Sequence, residues 1–158
     1  MKPSNRHKLF LLNLLILCLI LYNCKSTVRE FYYDNRIEKT DHEKIAEELY
    51  FNNVPKEQQK TDKDVLLVFS GSAFKGKTII INKKDRLSFD LNPDHTGCYG
   101  ILFKKVPKSL KKINISVEGK ENIIFPISDK YDYIYIGDVA KSKRGITYSH
   151  NFPSYFCM

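Results

Sequence analysis

Tryptophan is absent from this 158-residue chain, cysteine and histidine occur four times each, and glycine only seven times. Each shortage removes a class of chemistry. His7 precedes an apolar run, so His42, His95 and His150 are left to move protons near neutral pH. Phe69-Ser70-Gly71-Ser72 lacks the glycine that precedes the serine of a nucleophile elbow. No glycine cluster forms a phosphate-cradling loop, and no carboxylate pair has the pattern of a glycosidase. Asp94, His95 and Cys98 stand too close in sequence to serve as orienting acid, base and nucleophile. Neither catalysis nor a cofactor is expected.

What is present is enough apolar and aromatic material for a core, with ten phenylalanines and ten tyrosines. The formal charge of +8 is unevenly spread: +3 over residues 1–23, −2 over 24–64 and +7 over 65–158. The positive excess on the last part favours anionic partners without naming one.

The N-terminus reads as an address. Lys2, Arg6 and Lys8 precede Leu9–Tyr22, fourteen residues interrupted only by Asn13. A membrane span needs about 20 apolar residues, so the run is short for one and fits the apolar region of a secretory signal. No small-x-small cleavage site follows. Leu21-Tyr22-Asn23-Cys24 instead resembles the lipobox of bacterial lipoproteins, with Leu21 and Cys24 matching and Tyr22 and Asn23 larger than usual. The resemblance covers only the first 24 residues. It implies cleavage before Cys24, attachment of acyl chains such as palmitate there, and a stable anchor from several chains. By the same analogy Lys25, in place of Asp, implies an outer-membrane protein facing the periplasm. The alternatives are an uncleaved anchor in which Cys24 is incidental, and ordinary secretion.

Beyond the signal peptide (1–23), residues 24–64 read as a tether carrying one short helix. Thr40 or Asp41 would cap it, Ile45, Leu49 and Ala46 would form its apolar face, and Pro55 would end it. Residues 65–158 read as a β-domain. Turn-forming clusters recur every 10–12 residues or so, the rhythm of a sandwich or barrel. Val65–Phe69 and Thr78–Ile81 are continuous apolar runs, as in strands buried on both faces. Leu87, Phe89 and Leu91 alternate with polar residues, as do Ile113, Ile115 and Val117, so each set turns one row inward. A tight turn at Glu118–Glu121 joins Lys112–Val117 to Asn122–Ile127 as a hairpin. Tyr131–Ile136 and Ile146–His150 form a last pair. The expectation is an all-β fold: a small antiparallel sandwich of about eight strands with an immunoglobulin-like look.

Three groups are candidate sites. Cys98 and Cys157 could form a disulfide in an oxidising compartment, closing a loop worth on the order of 4 kcal/mol, or remain free thiols. A zinc site from His95, Cys98, His150 and Cys157 fits poorly, because His150 and Cys157 are too widely spaced. Lys104, Lys105, Lys108, Lys111 and Lys112 surround Pro107, either to bind an anionic partner or to keep strand edges soluble. Tyr131, Tyr133 and Tyr135 share one strand face, with Ile134 and Ile136 on the other. If the isoleucines face the core, the tyrosines, continued by Tyr148, form an amphipathic strip for sugar or protein. The expected role is a non-enzymatic binding or structural module held at the envelope membrane, contacting a protein or envelope polymer and no nucleic acid. A carbohydrate-binding module or an envelope enzyme are the alternatives.

Overall fold

The computed structural model describes residues 28–89, 100–118, 121–140 and 143–154. Among the described residues nine strands form two sheets, and one long helix lies on the outside of the larger sheet. The larger sheet has five strands in the order β1 (Val28–Asp34), β9 (Lys143–Ser149), β8 (Tyr133–Ala140), β2 (Asp64–Ser70) and β5 (Ile101–Pro107). The smaller has β4 (Asp85–Ser88), β3 (Thr78–Ile81), β6 (Lys112–Val117) and β7 (Glu121–Pro126). The β6–β7 and β8–β9 pairs are antiparallel, as the turn chemistry between them predicts.

Two features depart from a purely antiparallel sandwich of eight strands. The larger sheet is mixed, because β1 runs parallel to β9 and β2 parallel to β8. The additional strand is β1, in the segment read as a tether, which pairs with the last strand from Val28↔Lys143 to Asp34↔Ser149. No local pattern signals a partner more than a hundred residues away. Parallel neighbours also need a crossover rather than a tight turn, so no hairpin residues mark them.

The core follows from alternation. Val65, Leu67 and Phe69 of β2 point inward with Ile134 and Ile136 of β8, and with Ile146 and Tyr148 of β9. They meet Ile79, Ile81, Ile113, Ile115, Val117, Ile123 and Phe125 of the smaller sheet. The other face of β2 is buried too: Leu66 and Val68 join Tyr50, Tyr133 and Phe152 in a second cluster beneath the helix. This explains why β2 is apolar at successive positions.

The helix, α1 (Asp41–Asn53), begins with a capping box: Thr40 Oγ1 accepts from Glu43 N–H, and the Glu43 carboxylate accepts from Thr40 N–H. It ends before Pro55, which lacks an N–H and disfavours helical conformation in the residue ahead of it. Its buried face is not the expected one. Glu43 and Tyr50 are buried, with Ala46 and Val54 packed beside them, whereas Ile45 and Leu49 face solvent at 49% and 55% exposure. Glu43 is tolerated there because Thr40 and Arg36 satisfy its carboxylate. A single-turn helix, α2 (Gly71–Phe74), follows β2 directly.

Candidate functional site

The tyrosines singled out by the sequence are taken up in packing. Tyr131, Tyr133 and Tyr148 are only 5%, 4% and 1% exposed, and Tyr135 is half-buried. Ile134 and Ile136 do face the core, and Tyr133 and Tyr135 do face the opposite side. That side is covered by α1 and by Phe152. Tyr148 lies across from Ile134 in the β8–β9 register and shares its inward face, so it does not extend the row. Tyr131 precedes β8 and joins the inner core.

Each buried phenol has a partner. Tyr133 donates to Glu47 Oε1 at 2.6 Å, Tyr131 to Asn35 Oδ1 at 2.8 Å and Tyr148 to the Pro126 carbonyl at 2.7 Å. Burial pushes the Tyr133 phenol well up, and its bond to Glu47 adds to the effect. Burial likewise raises Tyr148. These hydroxyls hold α1, the β1–α1 loop and the β7 end onto the sheet.

The lysines do not converge. Lys104 pairs with Asp85 at 2.9 Å, and Lys105 donates to the Glu57 carbonyl at 2.6 Å. Lys108 meets Asp132 at 3.0 Å, and Lys60 approaches the same carboxylate oxygen at 3.1 Å. Burial alone would raise the Asp132 carboxyl, but hydrogen bonds and charge from Lys108 and Lys60 outweigh it and hold it below the usual range. Lys111 and Lys112 are exposed. Cys24, Cys98, Cys157 and His95 lie outside the described residues, and with them the expected lipid-attachment point and the question of a disulfide. Among the described residues no group of three His, Cys, Asp or Glu side chains is placed to hold a metal. No described helix is long and apolar enough to cross a membrane.

Comparison with known protein families, curated proteins and solved structures finds no match. The surface of the described residues is what bears on function.

Two features of that surface were missed by the sequence reading. A groove of about 410 Å³ runs between the end of α1 and edge strand β5, lined by Tyr50, Val54, Leu66, Ile101 and Phe103, with Lys104 and Lys105 at its side. It is open and carries no convergent set of titratable groups. The second is the outer face of α1. Ile45 and Leu49 are one turn apart, so they stack on the same side. Ile37, on the loop entering the helix, is 89% exposed. The helical spacing of Ile45 and Leu49 did reveal a shared face, but Tyr50 fills the space over β2 and turns that face outward.

Proposed function

We propose that the protein is a small lipid-anchored module of a bacterial envelope, acting by non-enzymatic binding to another protein. The reading is carried by the outer face of α1, where Ile45 and Leu49 stand exposed on a helix already anchored by its opposite side. Apolar side chains displayed on a rigid element are the usual core of a protein contact. The address comes from the resemblance of Leu21–Cys24 to a lipobox. The polar clusters described above support the non-enzymatic part, since each pairs groups that hold elements together. A sugar ligand is less favoured because three of the four candidate tyrosines are buried.

The test is a photo-crosslinking residue placed at Leu49 or, as a control, at Lys84 in the turn before β4, in cells making the lipidated chain. A discrete protein adduct from Leu49 and none from Lys84 supports the reading. Adducts from neither site, in folded and membrane-bound protein, would remove this face as the binding surface. Cys24→Ala should abolish acyl labelling and release the protein from the membrane fraction; unchanged labelling would remove the anchor.

A further inference from the structure

A sheet edge offers unpaired N–H and C=O groups to any other strand, and folded proteins guard such edges with lysine, proline, other charges or short length. The two sheets have four edge strands: β1, β5, β4 and β7. Three of them are guarded. β5 carries Lys104, Lys105 and Pro107. β4 is only four residues long, with Asp85 and Arg86 among them. β7 ends in Pro126, and Arg29 donates to two alternate carbonyls along it, Asn122 at 2.7 Å and Ile124 at 3.3 Å.

β1 is the exception. It runs seven residues without lysine, proline or glycine and pairs with β9 in unbroken register. Among the described residues no strand pairs with its other edge. Its charged side chains are engaged within the molecule: Arg29 on β7, Glu30 with Lys143 at 2.8 Å, and Asp34 with Arg36 at 2.6 Å. Between them Phe31, Tyr32 and Tyr33 are 42%, 40% and 57% exposed. Tyr33 is held in place by stacking on Tyr148 at 5.2 Å.

We propose that this edge pairs with the same edge of a second copy of the chain, antiparallel about a two-fold axis at Phe31. An axis normal to the sheet keeps the inner faces of both copies on one side, so each residue faces one an even number of places away. Three registers centre on or beside the aromatic run. Centring on Glu30 sets that carboxylate against its own copy, and centring on Tyr32 sets Glu30 against Asp34. Like charges directly opposite are destabilising. Centring on Phe31 sets Phe31 against itself, Tyr32 against Glu30 and Tyr33 against Arg29. Ring then meets ring, hydroxyl meets carboxylate, and ring meets cation. The hydroxyl of Tyr32, which donates to Glu30 of its own chain, finds the same group across the axis. A strand of this length gives a contact of about 20 Å, so the pair is a weak one. It requires neither Cys24 nor the outer face of α1.

The test uses two differently tagged full-length copies made in one cell, one of them with a photo-crosslinking residue at Tyr33. A cross-link that joins the two tags and maps to residues 29–33 of the second copy is expected. Phe31→Lys in both copies sets like charges across the axis and should lower its yield several-fold, as should Phe31→Glu in both. Phe31→Lys in one copy with Phe31→Glu in the other should restore it, an outcome that loss of folding cannot produce. A cross-link to a different protein, no cross-link from folded protein, or charge variants without effect would overturn the pairing. The cross-link from Leu49 reads the face of α1 separately, so either proposal can fail alone.

Discussion

Arg144, on the five-stranded sheet, donates Nε and Nη2 to the two carboxylate oxygens of Glu121, on the four-stranded sheet, both at 2.9 Å. The guanidinium is buried, also donates to Asp138 and to the Ala73 carbonyl, and lies 4.4 Å from the centre of the Phe74 ring. One side chain thereby ties β9, β7, β8 and α2 at one end of the sandwich. Burial disfavours its charge, but Glu121 and Asp138 outweigh that and raise its affinity for the proton.

Arg144→Ala should therefore be costly, because it leaves the Glu121 carboxylate without its partner. Breaking a buried pair from one side typically loses about 3–5 kcal/mol. Urea unfolding should show that loss, and Arg144→Met with Glu121→Met should recover much of it. A double-variant loss equal to the sum of the separate Arg144→Met and Glu121→Met losses would show that the pair is not coupled.

The orientation of α1 gives a second prediction. Tyr50→Ala should destabilise by about 3 kcal/mol, as for other buried aromatics. Leu49→Ala, one residue along, should change stability by less than about 0.5 kcal/mol. Thr40→Ala removes the cap and should cost about 1 kcal/mol. A larger loss at Leu49 than at Tyr50 would return the helix to the face first read from the sequence.

Gly137 and Gly145 are opposite one another across β8 and β9. A Cβ on Gly145 would collide with Val139 Cγ2, and one on Gly137 would lie 2.6 Å from the Tyr135 hydroxyl. Gly145→Ala should destabilise by about 1–3 kcal/mol through overpacking. Val139→Ala in the same chain should restore most of the loss, since it removes the colliding methyl. Thermal unfolding of the two single variants and the double variant tests the coupling.

Acid should weaken the fold. Asp34 is held below the usual range chiefly by Arg36, while Asp132 and Glu43 are lowered despite burial by the hydrogen bonds they accept. A carboxylate with a lowered native pKa contributes stability above its unfolded value and loses it as pH falls through the native one. Starting from ordinary values of 3.8 for aspartate and 4.5 for glutamate, the loss should begin below about pH 5 and continue as pH falls beneath those values. Asp132→Asn should flatten the pH dependence of the melting temperature in that window. An unchanged slope would show that Lys60 and Lys108 do not stabilise the ionised carboxylate.

Alkali should act through the buried phenols. Tyr50, Tyr133 and Tyr148 are all raised above 10.0 by burial, and for a phenol this stabilises the fold below the unfolded value and is lost as pH rises beyond it. Absorbance titration should show these three ionising only as the protein unfolds. Reversible ionisation of all ten tyrosines in native protein near pH 10 would contradict their burial.

The amino-acid sequence alone determined the elements whose causes are local. Val65–Phe69, Thr78–Ile81 and the hairpin across Glu118–Glu121 are legible because alternation and turn chemistry act within a few residues. The cap at Thr40 and the stop at Pro55 are legible for the same reason. Tertiary structure alone decided which surfaces those elements cover. β1 became a sheet strand because β9, more than a hundred residues away, offers it an unpaired edge. Tyr133 and Tyr148 were buried because α1 and the smaller sheet close over opposite faces of β8 and β9. Ile45 and Leu49 were left outside because Tyr50 is large enough to fill the space above Leu66 and can satisfy its hydroxyl there, accepting from Lys60 N–H at 3.1 Å. Periodicity says which residues share a face; only packing against the rest of the chain says where that face points.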